Sequence, residues 1–138
     1  MNEEIDENFP FEAAYKNDSN GLIQASRFGL DLNKGHPRSG HTPLQAACEV
    51  NALEAIETLL DKICVDPNAR FTKISRVDGH LICDNSTALM EVRSLEAAKL
   101  LVSFGADVSL EDNNGWSAED WAEDRDLVEV KEFLSNQK

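Results

Sequence analysis

At 138 residues, with 41% hydrophobic and 28% charged residues, the chain has the composition of one folded domain large enough to bury a core, which excludes disorder throughout. A net charge of -13 argues against a nucleic-acid partner, because phosphate binding depends on a clustered basic face, and for a basic protein partner. The opening MNEEIDENF carries acids where a secretion signal needs a basic end, and no apolar run approaches the roughly 18 residues of a membrane span; the expectation is a cytoplasmic protein with no membrane partner.

The charge is concentrated at the two ends. Residues 1–12 carry five acids and no base, and residues 111–138 carry nine acids against Arg125, Lys131 and Lys138, leaving the middle near neutral. Two roles fit such ends: a solubilising surface, or an electrostatic docking face. The three cysteines, Cys48, Cys64 and Cys83, are odd in number, widely spaced and without a CxxC pair, which suggests neither a disulfide framework nor a zinc site.

Along the chain, short helical segments alternate with longer ones. TPLQAACEV at 42–50 precedes a helix with the apolar stripe Leu53, Ile56, Leu60, Ile63; TALMEV at 87–92 precedes Leu95, Ala98, Val102; SAEDWAED at 117–124 precedes Leu127, Val130, Leu134. Steps of three and four return to one face, so each stripe predicts a helix buried along one side. Thr42, Thr87 and Ser117 stand where a hydroxyl can accept from first-turn amides, and Pro43 fits the first helical position. Paired antiparallel helices repeated along the chain are therefore expected.

Between the second and third pairs, ISRVDGHLICDNSTAL at 74–89 reads differently. Asp78-Gly79 suits a tight hairpin turn, and pairing Val77 with His80, Arg76 with Leu81, Ser75 with Ile82 and Ile74 with Cys83 makes a β-hairpin with neither face cleanly apolar. Such a hairpin gains little in isolation and must lean on something.

The residues carry a family resemblance. GHTPLQAACEVNALEAIETLLDKICVDPN resembles an ankyrin repeat, with its turn, Thr-Pro-Leu, Ala-Ala pair and Leu-Leu second helix. STALMEVRSLEAAKLLVSFGADVS is similar, NNGWSAEDWAEDRDLVEVKEFL resembles a terminal capping repeat, and PFEAAYKNDSNGLIQASRFGLDLN is a degenerate first one. The resemblance implies an all-α solenoid of about four helix-turn-helix repeats, at approximately 9–33, 40–68, 86–109 and 113–135, in one domain. Thr87 to Ser117 is 30 residues, shorter than the family's period of about 33, with the deficit between Val92 and Leu95; Thr42 to Thr87 is 45, and the excess makes the hairpin insertion at 70–85 an enlarged version of the finger that joins repeats. Glu119 and Asp120 replace the Leu44-Gln45 and Leu89-Met90 of the middle repeats, as a cap requires.

By the same resemblance, partners bind the finger tips and the exposed side of the first helices. In repeat two these positions are Arg38, Ser39 and His41 with Glu49 and Val50; in the enlarged finger Arg76, Val77, Asp78, Gly79 and His80, with Ser86 at its base; in the last repeat Asn113, Asn114 and Trp116 with Asp124 and Arg125. The first-helix positions of the shortened third repeat do not carry over. Two roles fit Trp116, a binding anchor or local packing of its turn, whereas Trp121 before Ala122 reads as core. Two also fit the hairpin: it binds a partner, or it covers the truncated repeat. Arg70, Lys73 and Arg76 make it a basic feature able to pair with acids of the same chain.

No glycine-rich phosphate loop, HExxH or serine elbow is present, and His36 and His41 lack a third ligand, so neither catalysis, nor a metal, nor a cofactor is expected. The expected function is non-catalytic protein binding by a chain monomeric when free. One version is a dedicated acidic inhibitor, such as a bacterial immunity protein that neutralises a toxic enzyme; the alternative is an adaptor or scaffold subunit.

Overall fold

The computed structural model describes residues 8–36, 41–70, 74–77, 80–83 and 85–137, those of 74–77 and 80–83 as backbone. Among them, four helix pairs follow one another: α1 (Phe9–Tyr15) with α2 (Ser19–Arg27), α3 (Pro43–Glu49) with α4 (Leu53–Glu57), a 3-10 helix (Ala88–Glu91) with α5 (Leu95–Ser103), and α6 (Ala118–Asp124) with α7 (Val128–Ser135). First members stack in the order α1, α3, 3-10 helix, α6, and second members form a parallel row of α2, α4, α5 and α7. The core lies between the rows. Its first-row side is rich in small residues, Ala13, Ala14, Ala46, Ala47, Ala88 and Ala122, while Leu22, Ile56, Leu59, Leu101 and Leu134 fill it from the second. One apolar stripe per helix suffices because each pair is covered by its neighbour.

Local chemistry starts and ends these helices as their residues require. Thr42 caps α3 by accepting from the Gln45 amide while Gln45 Oε1 accepts from the Thr42 amide, and Ser117 and Asp120 repeat that reciprocal box at α6. Asn17, Asn51 and Asp126 turn the chain between the helices of three pairs with φ of 56°, 56° and 58°. Each is followed by an amide that reaches back five residues, Asp18 to Ala13, Ala52 to Ala47 and Leu127 to Ala122. Asparagine and aspartate tolerate this left-handed geometry better than other non-glycine residues.

The third pair lacks that turn. Its first member is four residues of 3-10 helix, and extended Val92 leads directly to Ser94, which caps α5 through the Ala97 amide. This is where the sequence is short, between Val92 and Leu95. The missing turn is compensated from the previous pair, because the Ser94 hydroxyl donates to Asn51 Oδ1 at 2.7 Å. Asn17 acts similarly one step earlier: its Oδ1 accepts from the Ala55 amide and so caps α4, whose own N-cap residue, Ala52, has no side-chain acceptor.

Pair two departs from its expected stripe. From Thr58 to Lys62 the helix widens to π geometry, and Val65 N–H closes onto Leu59 O, six residues back, where Leu30 closes onto Ala25 and Ala106 onto Leu101, each five back. One extra residue is thus absorbed inside the helix. The widened turn brings Leu59, absent from the Leu53, Ile56, Leu60, Ile63 reading, fully into the core. It also puts Cys64 at φ 62°, where the other two helices end on Gly29 (φ 87°) and Gly105 (φ 99°). Cys64→Gly should relieve that strain and, net of the extra freedom of the unfolded chain, stabilise the protein by about 0.5–1 kcal/mol. Thermal unfolding reads this directly; a lowered melting temperature would mean that the π turn holds Cys64 without strain.

Loops stack as well as helices. Asp31, Asp66 and Asp107 each accept, through the side chain, from the amide two residues on, and these turns are tied by asparagines: Asn33 Oδ1 accepts from Asp66 N–H, Asn68 Oδ1 from Asp107 N–H. In the segment between pairs two and three, β1 (Ile74–Val77) and β2 (His80–Cys83) pair antiparallel in the register Ile74 with Cys83 through Val77 with His80. Arg70, at the start of this segment, donates to Asn85 O at 3.2 Å and to Glu111 O at 2.7 Å. Its guanidinium thus braces the base of the segment against the next loop through backbone carbonyls. Among the described residues no helix is long and apolar enough to cross a membrane.

Candidate functional site

The last residues of the four first helices are Tyr15, Glu49, Glu91 and Asp124, and the stacking of those helices sets them in one row. The Tyr15 hydroxyl is held above the ordinary tyrosine pKa by burial first, and then by the carboxylates of Glu49 and Glu91. Burial and Glu91 also push the Cys48 thiol far up, so this core cysteine stays protonated and unreactive.

At one end of the row, His41 Nδ1 lies 3.8 Å from Glu49 Oε2. The imidazole is half-buried rather than displayed on a turn, and lines an open cleft with Asn8, Phe11, Glu12, Tyr15 and His36, whose ring meets Phe11 edge-on at 4.8 Å. Val50, the residue after α3, stands 45% exposed, as does Tyr15.

At the other end, Asp112 organises the turn before α6. Its Oδ1 accepts from the amides of Asn114 (2.9 Å) and Trp116 (3.0 Å), its own amide donates to Trp116 O, and Oδ2 accepts from Trp121 Nε1 at 2.9 Å. Gly115, at φ 79°, provides the left-handed step that closes this turn. Trp116 is 37% exposed while its ring packs on Trp121, centroids 4.8 Å apart and tilted by 54°. Both roles open for Trp116 are thus occupied: one side packs its turn and another meets solvent. Trp121 is half-buried against the core edge rather than within it, because its indole N–H needs the Asp112 carboxylate and its ring lies 5.0 Å from the Arg125 guanidinium.

Arg125 joins the two ends. It donates to Met90 O and approaches Glu91 Oε2 at 3.9 Å. Burial, then Arg93, hold it below the usual arginine pKa, while Glu91, Asp124 and Glu49 pull in the opposite direction. Asp124 and Trp116 line an open cleft together with Asn114, Gly115, Asp120 and Glu123. The surface therefore runs from His41 and Tyr15 through Glu49 and Glu91 to Asp124 and Trp116, a row of carboxylates edged by the exposed apolar groups Tyr15, Val50 and Trp116.

Of the residues expected from the sequence, His41, Glu49, Val50, Trp116 and Asp124 fall on this surface. Arg38, Ser39 and Asp78 lie outside the described residues, and Arg76, Val77 and His80 lie on β1 and β2 with only their backbone placed. Tyr15 and Glu91 went unrecognised. The signal for Tyr15 is its position two residues before Asn17, the spacing that also relates Glu49 to Asn51 and Asp124 to Asp126. Glu91 has no such marker, because pair three lost its turn. Among the described residues no group of three or more His, Cys, Asp or Glu side chains is placed to hold a metal ion.

No curated protein matches the chain. Residues 39–71, which include Thr42, the α3–α4 pair and Arg70, match the family model of the ankyrin repeat. That match falls on the second of the four stacked helix pairs, so the chain contains an ankyrin repeat.

Proposed function

We propose that the chain is a dedicated, non-catalytic inhibitor that captures one basic protein in the cytoplasm, in the manner of an immunity protein that neutralises a toxic enzyme. In this reading one domain of four repeats, at about 9–33, 40–68, 86–109 and 113–135, is monomeric until it meets its partner. The observation that carries it is the unbroken row of Tyr15, Glu49, Glu91 and Asp124, acidic and edged by exposed Val50 and Trp116. Carboxylates speed capture of a basic surface, and aromatic groups at the edge supply the area that holds it. The segment at 70–85 enlarges the finger between repeats two and three and adds Arg76, Val77, Asp78 and His80 to the contact, with Arg38 and Ser39 on the preceding finger. An adaptor subunit is the second reading, favoured by the same surface if binding leaves the partner active.

Capture of a partner at low salt, release at high salt, and assay of that partner with the purified chain separate the two. Activity should fall to zero at one equivalent for an inhibitor and stay unchanged for an adaptor. Trp116→Ala should weaken the complex by more than about 1 kcal/mol with thermal unfolding little changed. An equal loss of melting temperature and affinity would assign the ring to packing alone. Replacing residues 72–83 by a short turn should abolish binding and leave the stack folded; insolubility would instead assign the segment to covering repeat three.

A further inference from the structure

We infer that Arg125 is the positioning residue of this face: its guanidinium stands in for the helical turn that pair three lacks and, through Trp121, sets where Trp116 meets a partner. The inference rests on the protein-binding reading for the role of Trp116, and on the contacts of Arg125 for how that ring is held. It starts at the Met90 carbonyl. The equivalent carbonyls, of Gln45 and Asp120, lie inside α3 and α6, which run on to Glu49 and Asp124, so each accepts from the amide four residues on. The 3-10 helix of pair three stops at Glu91 and extended Val92 follows, and among the described residues no backbone amide reaches Met90 O. Met90 is buried, where a carbonyl without a donor is costly. Arg125 donates to it from the next pair.

Arg125 is suited to this by where it stands. It is the residue after α6, as Lys16 follows α1 and Val50 follows α3, and from that position its long side chain lies back along the preceding pair. That side chain is only 19% exposed, so it is committed within the fold rather than offered to a partner as its position in the sequence suggests. The same guanidinium lies 5.0 Å from the centroid of the Trp121 ring, whose Nε1 donates to Asp112 and which meets the Trp116 ring at 4.8 Å. Asp112 Oδ1 fixes the backbone of Trp116 through its amide, whereas the ring of Trp116 rests on Trp121. Removing Arg125 therefore leaves the turn tied but loosens the indole against which the exposed ring packs. A planar guanidinium donates to a carbonyl and covers an aromatic face at once, which a lysine ammonium does not match. The turn missing between Val92 and Leu95 thus has its substitute in pair four, and the binding anchor is built onto that substitute.

Arg125→Met, which keeps an apolar stem and removes the donors, and Arg125→Lys, which keeps the charge, test this on the free protein and then on its complex. Circular dichroism in the aromatic region reads the indole pair. Arg125→Met should lose most of that signal, with acrylamide quenching its tryptophan emission about twofold more strongly, and Arg125→Lys should fall between, since it still donates to Met90 O but does not cover the ring. Amide hydrogen exchange in the 3-10 helix should quicken about tenfold in Arg125→Met and less in Arg125→Lys, reporting the uncapped carbonyl apart from the rings. With the partner captured at low salt, Arg125→Met should weaken the complex about tenfold in the unmutated chain and less than about twofold beside Trp116→Ala, because the two act through one contact. Urea midpoints taken alongside show that each variant is folded where it is read; should Arg125→Met not fold, Arg125→Lys carries the same comparison. Losses that multiply fully, or an unchanged indole signal and exchange rate, would overturn the positioning role. Spectra that change as stated, beside a complex that neither Arg125→Met nor Trp116→Ala weakens, would overturn Trp116 as the anchor and with it the functional half of the inference, while a partner still captured leaves the broader protein-binding reading standing.

Discussion

Asp112→Ala is expected to lower stability by about 3 kcal/mol and to loosen the tryptophan pair without touching the middle of the core. Asp112 is buried, and its two oxygens accept from three donors, the amides of Asn114 and Trp116 and the Trp121 indole. Bonds to a charged acceptor contribute about 1.5–3 kcal/mol each, and three that share one carboxylate are not additive, which sets the expected total near the top of that range. The loss has a specific reporter. Trp116 and Trp121 are the two tryptophans of the chain, so intrinsic fluorescence reads this corner alone. Urea unfolding of Asp112→Ala should show a lower midpoint and a native spectrum shifted towards solvent-exposed indole, whereas Asp112→Asn, which keeps two acceptor sites at one oxygen, should fall between. An unchanged midpoint would mean that the turn is held by stacking of the rings. Because Trp116 is placed by this carboxylate, the same variant should also weaken partner binding, and comparison with Trp116→Ala separates loss of the ring from loss of its position.

Gln45→Ala is expected to cost about 2–3 kcal/mol, acting at the joint between pairs two and three. The side chain is fully buried, with Oε1 accepting from the Thr42 amide and Nε2 donating to Ser86 O at 3.0 Å. Removing it leaves a buried amide and a buried carbonyl without partners, each costing about 1–3 kcal/mol where water cannot replace it. A second substitution divides packing from hydrogen bonding: Gln45→Met fills the space, and Met90 already stands at the corresponding position of the next helix, its sulfur 3.5 Å from the Thr87 amide. Gln45→Met should therefore recover part of the loss, and full recovery in urea unfolding would rule out the bond to Ser86 as a stabilising contact. The last repeat shows what happens to this position at an end. Asp120 occupies it, closes the box with Ser117, and is exposed, with no further helix over it among the described residues.

That comparison also explains how far the sequence could be read. Gln45, Met90 and Asp120 are equivalent in chain position, and the caps Thr42 and Ser117 mark two of the helix starts, because capping depends on residues three apart and is complete within a few residues of chain. Glu49, Val50, Trp116 and Asp124 were locatable through the family resemblance, whose positions are counted from the turn before each first helix. Glu91 was not, since the deletion between Val92 and Leu95 removes the turn from which the distance is counted. The π turn at Thr58–Lys62 escaped because the stripe Leu53, Ile56, Leu60, Ile63 fits an α-helix as written and leaves Leu59 off it; the extra residue shows only where Val65 N–H closes onto Leu59 O, six residues back. Trp121 was assigned to the core on its neighbours, and no spacing announces that an aspartate nine residues earlier holds its indole N–H.

By itself, then, the order of residues determined what is local and periodic: three helix pairs with their apolar stripes, the hydroxyl caps at their starts, and acid-rich ends on a chain of -13. It did so because backbone sterics, capping and the 3.6-residue period act over a handful of neighbouring positions. Tertiary structure alone decided which ends of those helices meet. Tyr15, Glu49, Glu91 and Asp124 become one surface only when four first helices stack, and only that stacking lets Arg125 reach Met90 O and Glu91 on the preceding pair. Those outcomes depend on distances between residues 30 or more positions apart, where packing and the competition of charges for one cation, rather than any local preference, set the result.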